Sequence, residues 1–118
     1  MKTNESYLEI KKSKFFGYLY QIKSAEEVRE ILNKIKEENK KAKHVVYAYK
    51  IGNIIKKFED KEPANTAGKP LLDLIIHKNL DNTLIVVVRY FGGILLGRGP
   101  LTRAYSKCAS MLFHNIEN

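Results

Sequence analysis

Arg89-Tyr90-Phe91-Gly92-Gly93-Ile94-Leu95-Leu96-Gly97-Arg98-Gly99-Pro100-Leu101-Thr102-Arg103-Ala104-Tyr105 is the stretch around which the rest of the chain is read. Four of the seven glycines fall between Gly92 and Gly99. Just upstream, Thr83 to Val88 is a β-branched apolar run of the kind that fills a buried strand. Downstream, Leu101, Ala104, Tyr105, Cys108 and Leu112 recur at helical spacing, and Pro100 suits a first helical turn. The order is therefore strand, glycine-rich loop, helix. Glycines permit positive φ and close backbone approach, and a helix start offers free N–H groups with a partial positive charge. Arg89, Arg98 and Arg103 bracket the loop, and no carboxylate lies between Asp81 and Glu117. The pattern attracts anions without naming one.

Working outward, the N-terminal residues read as two strands. Leu8 and Ile10 alternate with polar neighbours, Lys11 to Lys14 makes a polar turn, and Phe15 to Ile22 resumes. Ser24 and Glu27 form a capping box for a helix with Val28, Ile31, Leu32 and Ile35 on one stripe, and Asn39 is expected to stop it in a left-handed conformation. The basic loop Lys40-Lys41-Ala42-Lys43 reads as solvated. His44 to Ile51 and Ile54 to Glu59 are strands joined by a primed turn at Gly52-Asn53. Asp60 to Gly68 is the longest polar interruption, followed by a short helix from about Pro70 to Lys78. The order β-β-α-β-β-α-β-α predicts an α+β fold, mostly antiparallel, with helices on one face of the sheet. Leu8, Ile31, Leu32, Tyr47, Val86, Val88, Ala104, Cys108 and Leu112 are expected in one core.

At 118 residues the chain is expected to be a single domain, 1–118. Twenty-one Lys and Arg against thirteen Asp and Glu give a net charge of +8. That excess fits contact with nucleic acid, a ribosome or an acidic protein, or simply a lysine-rich proteome. The lone Cys108 rules out an intrachain disulfide and points to a reducing cytoplasm. No apolar run approaches the roughly 18 residues of a membrane helix.

Arg89-Tyr90-Phe91-Gly92-Gly93-Ile94-Leu95-Leu96-Gly97 with Leu101-Thr102-Arg103-Ala104-Tyr105 resembles the signature of the IMPACT/YigZ family. Ser13-Lys14-Phe15, His44 with Tyr47-Ala48-Tyr49, and Asp60 through Leu72 agree in order, so the resemblance covers about residues 5 to 113. Lys61 and Pro100 stand where the family usually has glycine. The resemblance implies a fold like domain two of ribosomal protein S5. Bacterial members usually carry a ferredoxin-like C-terminal domain after this one, and the chain is expected to lack it. Eukaryotic relatives would be regulators of translation under starvation stress, acting through protein contacts on ribosomes. Prokaryotic relatives have been suggested to bind nucleic acid.

Gly92-x4-Gly97-Arg98-Gly99 is one step from a P-loop, but Arg98 and Gly99 replace the required Lys and Ser/Thr, so nucleoside-triphosphate hydrolysis is rejected. Binding of phosphate or nucleic-acid backbone remains, with close strand–helix packing as the bland alternative. Asp60 and Glu62 are an acid–base pair, weak metal ligands, or more ordinarily caps and ion-pair partners, Glu62 pairing with an arginine of the glycine loop. His44 lines the site by family position, whereas His77 and His114 read as surface residues. Scattered histidines and one cysteine make no zinc site. Tyr47, Tyr49, Tyr90 and Phe91 are core by default and base-stacking side chains by alternative. The reading is a non-enzymatic binding module with no cofactor and no metal, linked to translation. Its expected partner is RNA, the ribosome or a translation-regulatory protein. Its expected anion-binding edge is Arg89, Gly92, Gly93, Gly97, Arg98, Gly99 and Arg103, faced by Thr66 and Lys69, with Glu62, Asp60 and His44 in support. The competing class is an enzyme acting on a phosphorylated small molecule or nucleotide in the same cleft.

Overall fold

The computed structural model describes residues 1–114; the last four residues of the expected 1–118 domain lie outside the described residues. Eight elements follow in the expected order: β1 (Lys2–Ile10), β2 (Ser13–Gln21), α1 (Ala25–Glu38), β3 (His44–Ile51), β4 (Ile54–Phe58), α2 (Gly68–His77), β5 (Thr83–Tyr90) and α3 (Arg98–Met111). The strands form one five-stranded sheet in the order β1-β2-β5-β3-β4, with every neighbouring pair antiparallel. β5 is central and buried from Thr83 to Arg89, as a β-branched strand packed on both faces should be.

The sheet divides the interior, and this corrects the expectation of one core under helices on a single face. Along β5, Leu84, Val86 and Val88 point toward α1, where they meet Val28, Leu32, Ile35, Val45 and Tyr49. Ile85 and Val87 point the other way, onto Leu71 and Ile75 of α2, Leu101, Tyr105 and Cys108 of α3, and Leu112 just past its end. Leu8, Ile31 and Tyr47, expected in the core, are half-buried at its margins. Period-two alternation puts successive β5 side chains on opposite faces, so a strand apolar at every position requires a layer on each side.

Local chemistry accounts for the ends of the elements. The Ser24 hydroxyl accepts the Glu27 amide at 3.1 Å, while the Glu27 carboxylate reaches back to the Lys23 amide at 2.8 Å. Asn39 is not left-handed as expected (φ −131°). Its side-chain amide instead donates to the Ile35 carbonyl at 2.8 Å and satisfies the helix end directly. The β1–β2 turn closes on Lys11 and Lys12, both at positive φ, so the expected four-residue turn shrinks to two and Ser13 joins the sheet. β4 stops one residue short of expectation, at Phe58, and α2 begins two residues early, at Gly68. Among the described residues no helix is long and apolar enough to cross a membrane.

Candidate functional site

The antiparallel register brings the start of β2, the end of β5 and the start of β3 to one end of the sheet, with Lys14 opposite Tyr90 and His44 opposite Arg89. Beneath this end lies a buried polar cluster. Arg89 and Glu62, 27 residues apart in sequence, form its centre. Nη1 of Arg89 donates to both Glu62 carboxylate oxygens at 3.0 and 2.8 Å, and Nη2 donates to the Ser13 hydroxyl at 3.3 Å. The Tyr105 hydroxyl donates to Oε2 of Glu62 in a short hydrogen bond. Nε2 of His44 stands 3.4 Å from Oε1 of Glu62, and its Nδ1 stands 3.7 Å from Oδ2 of Asp60. Asp60 in turn accepts the Val45 amide at 2.7 Å. The guanidinium lies 5.6 Å from the Phe15 ring centroid and 5.9 Å from that of Phe91, which adds a cation–π component.

Burial dominates the electrostatics. Glu62 and Arg89 are both buried, so each charge is tolerable only because the other is present. Burial and the adjacent Glu62 carboxylate push the Tyr105 phenol far above its ordinary value, so it acts as a donor. Both carboxylate oxygens of Glu62 are engaged, and the cluster is built for fixing chain segments to one another. It joins the 60s loop, β2, β3, β5 and α3 at a single point. Glu62 thus takes the expected ion-pair role with an arginine of the glycine segment.

The chain enters that cluster through strained backbone. Asp60 and Lys61 both occupy the left-handed region, at φ 50° and 66°. Lys61 thus adopts, at some cost, a conformation that glycine reaches freely. Glu59, which the sequence did not mark, terminates β4 and fills the start of α2. It accepts the amides of Ala67 at 2.9 Å, Gly68 at 2.7 Å and Asn65 at 3.1 Å, and it pairs with the Lys57 ammonium at 3.2 Å. Desolvation opposes its ionisation, but those amides and the Lys57 ammonium outweigh it and hold the carboxyl below its ordinary value.

The glycine loop serves packing at one end and exposure at the other. A Cβ on Gly92 would sit 2.1 Å from the Lys12 carbonyl carbon and oxygen, so the loop passes directly against the β1–β2 turn. Gly93 has φ +90°. Gly97 precedes α3 with no capping side chain and no acidic residue in the first turn. Gly97, Arg98, Gly99 and Arg103 are exposed, and the Arg103 guanidinium folds back beside Gly99, 3.2 Å from where a Cβ would be. Arg98 donates to the Ala64 carbonyl. Of the other expected edge residues, Arg89 is buried on Glu62, and Thr66 is buried with its hydroxyl on the Pro63 carbonyl. Lys69 is exposed and pairs with Asp73 at 2.7 Å. His77 and His114 are exposed, as expected. Tyr49 is buried, Tyr47 packs on Phe58 at 5.3 Å, and Phe91 and Tyr90 retain exposed ring surface. Ser13 and Tyr105 complete the cluster without being expected as site residues. Nothing in their local pattern tells a buried hydroxyl with a partner from one without. Among the described residues no group of three or more His, Cys, Asp and Glu side chains could hold a metal ion.

The family model for the Impact N-terminal domain matches residues 11–113. The IMPACT family member YvyE of Bacillus subtilis (strain 168) is 41% identical over 118 residues, an alignment covering 98% of this chain and 54% of that protein. A crystal structure of a hypothetical protein superposes with a TM-score of 0.89 at 33% identity, covering 93% of this chain and 56% of the other. The structure of the two-domain translational regulator Yih1 shares the fold at a TM-score of 0.56 and 23% identity, over 97% of this chain and 45% of that one. The chain spans about half the length of the curated relatives it matches.

Proposed function

The chain belongs to the Impact N-terminal domain family, and from that membership we propose that it is a non-enzymatic, translation-linked binding module whose contact edge, Gly92–Arg103, holds the backbone of RNA. The observation that carries the reading is the exposed, uncapped start of α3 beside the Arg98 and Arg103 side chains. Free amides and the helix dipole favour an anion there, and the two guanidinium groups supply full charge. The corresponding start of α2 is closed to a ligand, because Glu59 already occupies it. A translation link is supported by Yih1, a translational regulator with this fold. The enzyme alternative has less to stand on, since Glu62, the carboxylate it would need, has both oxygens engaged.

Salt dependence of binding to a single-stranded RNA oligomer is the test. Two arginines and the helix start neutralise about two phosphates, which gives a log–log slope of roughly −1.4. Arg98→Ala and Arg103→Ala each reduce that slope and weaken all sequences alike. Charge reversal at Lys34 and Lys36 on exposed α1 positions controls for general basicity. If the arginine variants keep the wild-type slope and affinity, the glycine loop is packing alone.

A further inference from the structure

α1 does not cover the whole of its face of the sheet. Beyond the helix, Phe16, Tyr18, Tyr20 and Tyr90 are half-buried at the margin of its core, and Tyr7 on the edge strand is 45% exposed. Register places them together: Tyr7 is opposite Phe16, Phe16 opposite Val88, and Tyr90 follows Val88 on the same face. The Tyr7 and Phe16 centroids are 4.9 Å apart, and Phe16 meets Tyr90 edge-on at 5.8 Å. A shallow cavity of about 280 Å³ opens among Lys14, Phe16, Tyr18, Asn39 and Tyr90. Three of these five lining residues are aromatic.

Charge is graded along this surface. At the Tyr90 end, Lys14 lies opposite Tyr90 in register, and Lys11 and Lys12 form the adjoining turn. The Tyr90 hydroxyl donates to Asn39, directly before Lys40 and Lys41, and the Lys43 amide donates to the Arg89 carbonyl at 2.8 Å. All six lysines are exposed: Lys11 and Lys12 form the β1–β2 turn, Lys14 begins β2, and Lys40, Lys41 and Lys43 lie between α1 and β3. At the other end the charge is mixed: the Lys2 ammonium lies 5.7 Å from the Tyr18 ring centroid and pairs with Glu5 at 3.0 Å.

We propose that this aromatic face binds an unpaired nucleobase of single-stranded RNA, stacked on Phe16, Tyr18 and Tyr90, with the flanking phosphates directed to the lysines at the Tyr90 end. Flat rings of moderate exposure accept any base through its π face, and a lysine cluster at one side only supplies the backbone contact. The Lys2 ammonium over Tyr18 closes the far end of the ring surface, which leaves room for one or two nucleotides. The site lies on the opposite face of the sheet from α3 and does not depend on the Gly92–Arg103 edge. Gly92 abuts Lys12 at the rim between them, so a single strand has a short path from one to the other.

The test is NMR titration of the full chain with an octamer of uridine or adenosine and, in parallel, with AMP. Upfield shifts of the Phe16, Tyr18 and Tyr90 ring protons are expected with the octamer, at an affinity at least about ten-fold above that for AMP. Tyr90→Leu and Phe16→Leu keep an apolar side chain and should weaken octamer binding about five-fold or more. If either unfolds the chain, Lys14→Glu with Lys41→Glu, at exposed positions, should still lower affinity about ten-fold at low salt. Arg98→Ala should leave the ring shifts in place, which separates this site from the helix edge. Equal affinity for AMP, octamer-induced shifts confined to residues 92–103, or ring shifts that change on dilution without RNA because two copies pair there, would each overturn the proposal.

Discussion

Glu62→Gln probes the feature that organises this end of the molecule. The substitution preserves shape and removes one charge from a pair whose side chains are only 4% and 7% exposed. It leaves the Arg89 guanidinium buried and uncompensated, a situation that costs about 3–5 kcal/mol. Glutamine retains one carbonyl oxygen, which can accept from both the Tyr105 hydroxyl and one Arg89 N–H as Oε2 does in the wild type, so the expected loss lies at the low end, near ~3 kcal/mol. A chain of this length has a total stability of roughly 6–18 kcal/mol, so the variant folds but is clearly weakened. With a urea m-value of about 1.5 kcal/mol/M, the unfolding midpoint should fall by about 2 M at unchanged m. Adding Arg89→Met removes the orphaned charge and should restore at least half of the loss, because the two sites are directly coupled. A single-variant midpoint shift below about 0.5 M would refute the argument that Arg89 depends on Glu62 for its burial.

Three further outcomes are expected. Lys61 is exposed and sits at φ 66°, so Lys61→Gly removes about 1–2 kcal/mol of left-handed strain against about 0.5–1 kcal/mol of added chain entropy. The melting temperature should rise by roughly 3 °C, and a decrease would show that the strain is not relieved there. Glu59→Gln should destabilise by about 1 kcal/mol at neutral pH, as loss of a helix cap does. Because the folded carboxyl is held below its ordinary 4.5, that contribution is intact above the unfolded value and fades as pH falls through the folded one, so wild type and variant should converge in acid melts. Finally, burial raises the Cys108 thiol to about 11 despite the opposing hydrogen bond with Ser6, so its thiolate at pH 8 is about a hundred-fold scarcer than that of an ordinary cysteine. Labelling by a thiol reagent should be correspondingly slow in the folded chain, and labelling at the free-cysteine rate would contradict the placement of α3.

Element type and order were legible in the sequence because each is set by neighbours within a few residues. The capping box at Ser24 and Glu27, the turn at Gly52 and the apolar run of β5 are all local signals, and the structure places all three where they were read. The same holds for the helix after the glycine loop, whose period marked Cys108 as buried. What periodicity does not carry is which layer covers which face. β5 is apolar at consecutive positions, so its pattern does not say that α1 lies on one side and α2 with α3 on the other. Nor does it aim polar side chains. Arg89 looks like a surface cation beside a glycine loop until the register sets it over Glu62 and Ser13, and Glu59 looks like a strand residue until α2 begins at its carboxylate. Those choices depend on contacts between residues far apart in the chain, where the desolvation of one group is compensated only by another that tertiary packing delivers.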